Sequence, residues 1–342
     1  MRPVRVGMIG LGRLGRVHAE NLAWRVAGVE LVRVVDTRAE VAREVGARLG
    51  VDWADDPAAV LDDAAVEGVV VATPTPTHVA LVRAAAAAGK HVFCEKPLSF
   101  DLGAARDAVA AAAAAGVRLQ VGFHRRFDPD WVAAVERIRA GELGEVRLLR
   151  TSLRDMQPPS RDYLASSGGF FADVAVHDFD TARWMVGEVA EVAATGAALD
   201  PEIAALGDID TAVVVLRFAG GALGVIDNSR AAGYGYECST EVVGSRATVR
   251  IGHHRRTHLQ WLTPGQASVD WVRDFTERYP VAYRAELEDF AAAIRDDRPV
   301  RVTGADDLAA ATLAAAAEAS LRQRRPVALT YDAAAGYRFG SQ

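Results

Sequence analysis

The stretch Val4-Arg5-Val6-Gly7-Met8-Ile9-Gly10-Leu11-Gly12-Arg13-Leu14-Gly15 joins a short apolar run to a glycine-rich turn and the start of a helical pattern. Its glycines follow G-x-G-x-x-G, in which the first permits a tight turn, the second lets the backbone approach a pyrophosphate, and the third lets helix and strand pack closely. The unpaired N–H groups of a helix N-terminus favour phosphate. The motif alone is weak in a chain with 30 glycines, but the flanking strand and helix strengthen it.

An acidic residue follows the next predicted strand. Asp36 stands 21 positions after Gly15, close to the spacing of about 20 expected of a ribose-binding acid. A carboxylate there accepts hydrogen bonds from ribose hydroxyls and repels a 2′-phosphate, so we predict NAD as the cofactor. Arg38 leaves NADP open, because a guanidinium can bind a phosphate. The alternative is a glycine turn in an α/β fold that binds no ligand.

Short apolar runs alternate with helical stretches up to residue 122, which predicts an α/β domain with a doubly wound parallel sheet, a Rossmann fold. The predicted strands are 4–9, 31–35, 51–53, 68–72, 91–94 and 119–123, and the predicted helices are 13–24, 38–49, 77–89 and 101–114.

Beyond residue 123 the apolar pattern changes to a period of two. We predict that residues 123–342 form an α+β domain for substrate binding and oligomerisation, with a large, open-faced, mainly antiparallel sheet. The predicted strands are 145–154, 189–199, 210–218, 222–230, 237–243, 246–251 and 257–262, and the predicted helices are 128–141, 174–186, 283–296 and 304–323.

The composition excludes several classes of protein. A net charge of -6 and a pI near 5.8 argue against nucleic-acid binding and against an anionic membrane surface. The Ala-rich runs are too short to span a membrane. Two cysteines, Cys94 and Cys238, do not form a disulfide framework, and the first strand begins too early for a signal peptide. We therefore expect a cytoplasmic protein.

Lysine is almost absent from the chain. Of 39 basic side chains only Lys90 and Lys96 are lysines, so arginine serves wherever a generic surface cation is needed. Unlike arginine, a lysine can have its pKa moved by burial and can then exchange protons. Lys96, within Glu95-Lys96-Pro97, is therefore a candidate for proton transfer. The alternative is that both lysines remain by chance in a chain biased toward arginine and have no special function.

A second candidate for acid–base chemistry lies at the start of a predicted helix. Asp173 and His177 stand four residues apart and share a helix face, and a carboxylate beside an imidazole orients it and raises its basicity. The alternatives are a helix-capping Asp with a solvated His, or a metal site that includes Asp178. The spacing resembles no common zinc set, and His253, His254 and His258 are more typical of strand and turn residues. We predict no metal.

Several motifs together resemble the Gfo/Idh/MocA oxidoreductases and, within them, the inositol 2-dehydrogenases, over essentially the whole chain. They are 10–15 with 18–21, 73–75 with His78, 89–97, 122–128, 168–169 with Asp173 and 177–180, 227–230, and 234–236.

This resemblance implies that Lys96, Asp173 and His177 are catalytic. His177 takes the proton of the substrate hydroxyl, and Asp173 orients the His177 ring and balances its positive charge. Lys96 donates a hydrogen bond to the reacting oxygen and relays its proton. Pro97 is expected to follow a cis peptide bond. The implied cofactor-binding residues are Gly10, Leu11, Gly12, Arg13, Leu14, Gly15, Asp36, Thr37, Arg38, Thr73, Pro74, Thr75, His78, Glu95 and Lys96.

The implied reaction is oxidation of myo-inositol to the 2-ketone, with hydride transfer to NAD. Besides the catalytic residues, Arg126, Asp155 and Tyr236 are expected to hold the other hydroxyls, although Arg126 could be a domain–domain ion pair and Tyr236 a strand-face aromatic. The alternatives are that the substrate is a related inositol isomer or a pyranose sugar, or that the protein is a non-catalytic NAD-binding regulator.

An open apolar sheet face predicts a homo-oligomer, and the resemblance suggests a tetramer or a dimer.

Overall fold

The computed structural model describes residues 2–333 and 335–339, which form two compact units. The first unit comprises Met1–Asp128 and Pro280–Leu308, and the second comprises Pro129–Tyr279 and Ala309–Gln342. The sequence predicts a boundary after residue 122, and the first unit continues to Asp128. The difference is the segment 280–308, which belongs with the first unit although it is more than 150 residues away in sequence.

The chain up to residue 128 alternates strands and helices, as its sequence predicts. Short 3₁₀ turns at Thr75–Thr77 and His124–Phe127 accompany the regular elements. These are β1 (Val4–Ile9), α1 (Arg13–Trp24), β2 (Val29–Val35), α2 (Ala39–Leu49), β3 (Asp52–Ala54), α3 (Ala58–Leu61), β4 (Gly68–Val71), α4 (His78–Ala87), β5 (His91–Cys94), α5 (Leu102–Ala114) and β6 (Leu119–Val121).

The remaining elements include a π-helical turn at Phe171–Ala175. They are α6 (Pro129–Arg139), β7 (Val146–Arg154), α7 (Arg161–Ser166), α8 (Val176–Val186), β8 (Val189–Ala197), α9 (Pro201–Ala204), β9 (Thr211–Phe218), β10 (Leu223–Ser229), β11 (Glu237–Gly244), β12 (Thr248–Ile251), β13 (Arg255–Thr263), β14 (Gln266–Trp271), α10 (Phe275–Arg278), α11 (Pro280–Arg295), α12 (Gly304–Gln323), β15 (Val327–Ala328), β16 (Thr330–Asp332) and β17 (Gly336–Arg338).

The first unit is built on a six-stranded parallel sheet in the order β3-β2-β1-β4-β5-β6. This order confirms the predicted doubly wound Rossmann sheet, in which strand order reverses at β1 and β4 and ligands bind beyond the carboxyl ends of those strands. Leu287 and Phe290 of α11 pack into the same core as Met8 and Phe93. This packing explains why the segment 280–308 joins the first unit.

The second unit contains a seven-stranded sheet in the order β12-β11-β7-β10-β9-β8-β15, in which only β7 and β10 run parallel. Helix α8 packs against β7. Along β9, Val214 and Leu216 are buried whereas Val213 and Val215 are exposed. The alternation confirms the predicted open-faced, mainly antiparallel sheet.

The pair β13–β14 forms a separate two-stranded sheet, of which sequence periodicity predicts only the first strand. Every residue of β13 is exposed, so β14 has no buried face to give it a period-two pattern.

Within the described ranges 2–333 and 335–339, no helix has the length and apolar character needed to cross a membrane.

Candidate active site

The glycine turn lies at the carboxyl end of β1. Gly10 has φ +94°, and a Cβ there would collide with the carbonyl of Ala72, which follows β4. A Cβ on Gly15 would overlap the carbonyl oxygen of Gly10, whereas nothing lies within 4 Å of one on Gly12. Gly12 caps α1 with no side chain bonded to the first helical turn. The open space and the exposed N–H groups together fit the phosphates of a dinucleotide.

Asp36 follows β2 on the same side of the sheet. Its Oδ2 accepts from the backbone N–H of Leu11 at 2.9 Å, and its Oδ1 accepts from that of Arg38 at 3.0 Å. The Arg38 side chain also pairs with Asp36, at 3.1 Å from Nε to Oδ1. Burial pushes the pKa of Asp36 upward, but the hydrogen bonds to Arg38 and Leu11 outweigh it and the net pKa is lowered. A fixed anion at this position fits ribose hydroxyls and disfavours a 2′-phosphate. Thr37 is exposed beside it.

His78 connects two loops that the sequence associates with the cofactor. Its Nε2 lies 2.8 Å from the carbonyl oxygen of Thr73 and its Nδ1 lies 2.9 Å from that of Pro97. The ring is 1% exposed, and burial lowers its pKa. Both nitrogens are therefore occupied inside the first unit. Thr73 and Thr75 are half-buried and Pro74 is exposed, so these three residues form the accessible part of the motif.

Lys96 differs from the other lysine of the chain. The Nζ of Lys90 is buried and donates to the carbonyls of Asp63 and Val66 at 2.7 and 2.8 Å, which is a structural role. Lys96 is partly exposed at the carboxyl end of β5. The Lys96-Pro97 peptide bond is cis, as the family resemblance implies. The two lysines thus differ in exposure, with Lys90 buried and Lys96 partly exposed.

Behind Lys96 lies a buried cluster that sequence reasoning missed. His18 Nε2 is 2.6 Å from Glu95 Oε1 and 4.0 Å from Glu286 Oε1. Glu95 also accepts weakly from the Lys96 backbone N–H, at 3.3 Å. The carboxylate of Glu95, a residue that the resemblance places at the cofactor, thus contacts two groups of the first unit. Neither oxygen of Glu286 has a hydrogen-bond partner among the residues that the structure describes, and burial together with the Glu95 charge raises its pKa well above the ordinary value.

His18, Glu95 and Glu286 form one group of potential metal ligands whose donor atoms lie within 4.8 Å of one another. The 2.6 Å separation of His18 from Glu95 is that of a strong hydrogen bond, shorter than two ligands of one ion adopt at about 2.0 Å from it. The His18–Glu95 contact is therefore a hydrogen bond, with Glu286 close beside it. Because α11 lies so far from β5 in sequence, no local pattern could have joined these three residues.

In the second unit, Asp173 and His177 lie at the junction between the π-helical turn and α8, both partly exposed. Such π-turns are frequent at functional sites. Asp173 Oδ1 accepts from the hydroxyl of Tyr163 at 2.8 Å, and Oδ2 accepts from Nη1 of Arg230 at 3.0 Å. The alternative of a simple helix cap does not account for these two partners.

A buried polar network fixes the helix that carries His177. The Asp178 carboxylate accepts from Thr151 Oγ1 at 2.9 Å and from Asn228 Nδ2 at 2.7 Å. The Asn228 side-chain oxygen in turn accepts from the backbone N–H of Leu153 at 2.9 Å. Asp178, which the sequence left open as a metal ligand, therefore ties α8 to β7 and β10.

The residues expected to hold the substrate differ in how their side chains are used. Arg126, 8% exposed, pairs with Asp306 at 3.0 Å; both belong to the first unit, so this is not a domain–domain ion pair. Tyr236 is buried, with its ring edge-on to Tyr279. Asp155 is half-buried at the end of β7, its backbone N–H bonded to the carbonyl of Ser229.

Two of the three histidines that the sequence assigned to strands and turns lie within hydrogen-bond distance of a carboxylate. His253 Nε2 lies 2.9 Å from Glu237 Oε1, and His254 Nε2 lies 3.0 Å from Asp130 Oδ2. His258 lies on the exposed β13.

The chain is similar in sequence to a known protein family and to known proteins. A family model for an oxidoreductase family with an NAD-binding Rossmann fold matches residues 4–123, and the GFO/IDH/MocA C-terminal domain matches residues 131–250. The chain is 43% identical to a myo-inositol 2-dehydrogenase of Thermotoga maritima, covering 95% of this chain and 98% of the relative. It is 38% identical to an NAD-dependent scyllo-inositol 2-dehydrogenase of Bacillus subtilis, covering 95% and 96%.

Among solved structures, the scyllo-inositol dehydrogenase of Lactobacillus casei with bound NAD(H) and scyllo-inositol superposes with a TM-score of 0.88 at 26% identity. The match covers 96% of this chain and 99% of that one. Both family domains are present, and the relatives align over nearly their whole length. The chain belongs to the Gfo/Idh/MocA family of oxidoreductases, with an NAD-binding Rossmann fold.

Proposed function

We propose that this protein is an NAD-dependent inositol 2-dehydrogenase that oxidises a ring hydroxyl of myo-inositol to the 2-ketone. The observation that carries this proposal is the 43% identity, over 95% of the chain, to a myo-inositol 2-dehydrogenase. It is supported by an intact acid–base set, Lys96, Asp173 and His177. In the reaction the secondary alcohol loses a hydride from carbon and a proton from oxygen and becomes a carbonyl.

NAD supplies the hydride acceptor when it is bound. We assign its pyrophosphate to the turn 10–15, since Gly12 leaves room there and the first N–H groups of α1 are uncapped. Asp36 accepts from the adenosine ribose and sets the preference for NAD over NADP. Thr73, Pro74 and Thr75 border the same switch point, because Gly10 lies against Ala72 and Thr73. We assign His78 and Glu95 to supporting these loops.

The catalytic residues divide the proton chemistry. We assign His177 as the base that accepts the hydroxyl proton, which suits an imidazole at neutral pH. Asp173 supplies a negative charge that stabilises the imidazolium form. Lys96 donates a hydrogen bond to the reacting oxygen and relays the proton. The chain's one other lysine, Lys90, is occupied by backbone carbonyls and takes no part.

The polyol needs polar partners for its other hydroxyls, because each buried polar group without a partner costs about 1–3 kcal/mol. Of the three proposed substrate contacts, Asp155 is the most accessible. Tyr236 can contribute its hydroxyl. Arg126 already pairs with Asp306, so we expect it to contribute less than the other two.

We also infer a cytoplasmic homo-oligomer, a tetramer or a dimer. On the open sheet face, Val213, Val215 and Leu223 are 41%, 45% and 42% exposed on the neighbouring strands β9 and β10. Apolar side chains grouped on one open face favour burial against a second copy. Light scattering coupled to gel filtration measures the mass, and a monomer of 36.4 kDa would contradict this inference.

The test of the activity is NADH formation, followed by its absorbance, with NAD and a panel of myo-inositol, scyllo-inositol and glucose. We expect the highest kcat/KM with myo-inositol and none above background with Lys96→Ala. A higher value with scyllo-inositol or glucose would reassign the substrate. Tight NAD binding without turnover of any polyol would instead support the non-catalytic alternative.

A further inference from the structure

Asp173 is held by two hydrogen-bond donors that come from different parts of the second unit. Tyr163 lies on α7, ten residues before it, and Arg230 follows β10, fifty-seven residues after it. Each donor is bonded to its own carboxylate oxygen, at 2.8 and 3.0 Å. A carboxylate bonded on both oxygens, one of them by a guanidinium, has a fixed position and a strongly favoured ionised form.

Arg230 is almost fully removed from solvent, with 1% of its side chain exposed. A guanidinium keeps its charge in such a place. Its second carboxylate is Asp208, at 3.8 Å from Nη2, and the ring of Phe170 lies 5.5 Å from its Cζ. Asp208 is itself fixed by the backbone N–H of Phe170 at 3.0 Å. Arg230 is thus a rigid positive charge beside the proposed catalytic segment.

Tyr163 supplies the other donor. Burial and the neighbouring Asp173 charge raise the pKa of its phenol, so the hydroxyl keeps its proton throughout the working range of pH. Its backbone N–H is bonded to Ser160 Oγ at the start of α7, at 3.4 Å. The phenol therefore acts as a donor to Asp173 and takes no part as a base.

We propose that Tyr163 and Arg230 are positioning residues that keep Asp173 fixed and ionised, so that its charge tunes the basicity of His177; this rests on the proposed function. Asp173 then acts as a constant negative charge and never as a proton carrier. Two further carboxylates lie near its partners, Asp208 beside Arg230 and Asp155 near Tyr163. The clamp, meaning Tyr163, Arg230 and Asp173, thereby sets the pH at which the base becomes active.

The sign of the expected pH effect follows from charge. Removing the positive charge of Arg230 makes the surroundings of His177 more negative and raises the pKa of Asp173 itself. Both changes keep His177 and Asp173 protonated up to a higher pH. The acid limb of the kcat/KM profile, along which activity rises with pH, therefore moves to higher pH. Loss of the Tyr163 hydrogen bond acts in the same direction but more weakly, since no charge is removed.

The experiment measures kcat/KM for myo-inositol against pH in four full-length variants. We expect Arg230→Met to lower kcat/KM by about 100-fold at neutral pH and to move the acid limb upward by about one unit. Tyr163→Phe is expected to lower it by about tenfold or less, with a smaller upward movement. Arg230→Lys keeps the charge and should leave the limb in place.

Matched controls separate this effect from a loss of packing. Arg278→Met removes an equally buried guanidinium that pairs with Asp130 at 3.5 Å, and Tyr331→Phe removes an exposed hydroxyl that accepts from Arg183. Both should leave the acid limb unmoved, whatever they do to thermal stability. If Arg230→Met fails to fold, the acid limbs of Tyr163→Phe and Arg230→Lys test the proposal instead.

The fourth variant, Asp173→Asn, separates failure of the inference from failure of the proposed function. Full activity of Asp173→Asn would overturn the assignment of Asp173 as catalytic, and with it the proposed site. An inactive Asp173→Asn, combined with unmoved acid limbs in Tyr163→Phe and Arg230→Met, would overturn the clamp alone.

Discussion

The glycine turn of the first unit and the Asp173 clamp of the second unit are organised in opposite ways. The turn uses backbone atoms of residues 10–15, which are adjacent in sequence, and needs only the absence of side chains. The clamp uses three side chains spread over residues 163–230 and depends on charge. Contiguous backbone sites can be predicted from a motif, whereas a carboxylate's partners depend on how distant elements pack.

The largest expected effect contrasts the chain's two lysines. Lys96→Arg should lower kcat by about 100-fold or more, because an arginine does not exchange protons near neutral pH, while NAD binding stays largely intact. Lys90→Arg should leave kcat unchanged and affect only stability, since Lys90 bonds two backbone carbonyls. Steady-state kinetics and fluorescence titration with NAD check both. Full activity of Lys96→Arg would show that the presence of lysine at position 96 has no catalytic reason.

Next in size is a contrast within the glycine turn. Gly15→Ala places a methyl against the Gly10 carbonyl and should cost about 2 kcal/mol of folding stability. Gly12→Ala meets nothing within 4 Å and should leave thermal stability unchanged, yet weaken NAD binding about tenfold, or about 1.4 kcal/mol. Thermal melts and calorimetric titration measure the two quantities. Unchanged NAD affinity in Gly12→Ala would place the pyrophosphate elsewhere.

Asp36 tests whether one side chain determines the choice of cofactor. Asp36→Ser removes the anion and releases Arg38 from its ion pair, so a 2′-phosphate gains a charged partner. We expect kcat/KM with NADP to rise about tenfold or more and that with NAD to fall. Arg38→Ala in the same background should reverse the gain with NADP. A gain that survives this second substitution would mean that Arg38 is not the phosphate partner.

The smallest effect concerns stability alone. Burial raises the pKa of Glu286 above its unfolded value, so the folded state binds more protons and loses stability as pH rises from that value. Glu286→Gln removes this dependence and should be more stable than the natural protein at pH 8, by about 1 kcal/mol or more. Denaturant unfolding between pH 5 and pH 9 measures it. Glu288→Gln, an exposed neighbour paired with Arg284, is the control and should keep the slope.

An unchanged pH slope in Glu286→Gln would mean that Glu286 is ionised in the folded protein. The His18–Glu95–Glu286 cluster would then need a bound cation. Metal analysis of the purified protein would reveal it.

The fold of the first unit is largely predictable because each element carries its own signal. The strands β1 and β5 have the predicted bounds, since parallel buried strands read as short, continuous apolar runs. The sequence predicts a helix at 283–296 within the second domain, and α11 belongs to the first compact unit. Nothing in its amphipathic pattern states which core its apolar face joins, and Leu287 and Phe290 pack beside Met8.

The candidate site divides along the same line. The turn 10–15, Asp36 and the cis bond before Pro97 were predicted from motifs. The partners Tyr163, Arg230 and Glu286 were not, because the geometry of a hydrogen bond between distant residues leaves no local periodicity. Asp178 illustrates this point, since its sequence position suggested a metal ligand and its actual partners, Thr151 and Asn228, lie on two strands.

By itself, the sequence determined the alternation of strands and helices, the glycine-rich turn at residues 10–15 and the rarity of lysine that singled out Lys96 as a candidate. These are local properties, because backbone conformation and residue chemistry are specified within a few positions. Only the tertiary structure decided that Asp173 is hydrogen-bonded by Tyr163 and Arg230, and that Glu286 is buried near Glu95 with no hydrogen-bond partner in the described part of the chain. Those outcomes depend on burial and on the meeting of distant side chains, which are produced by packing.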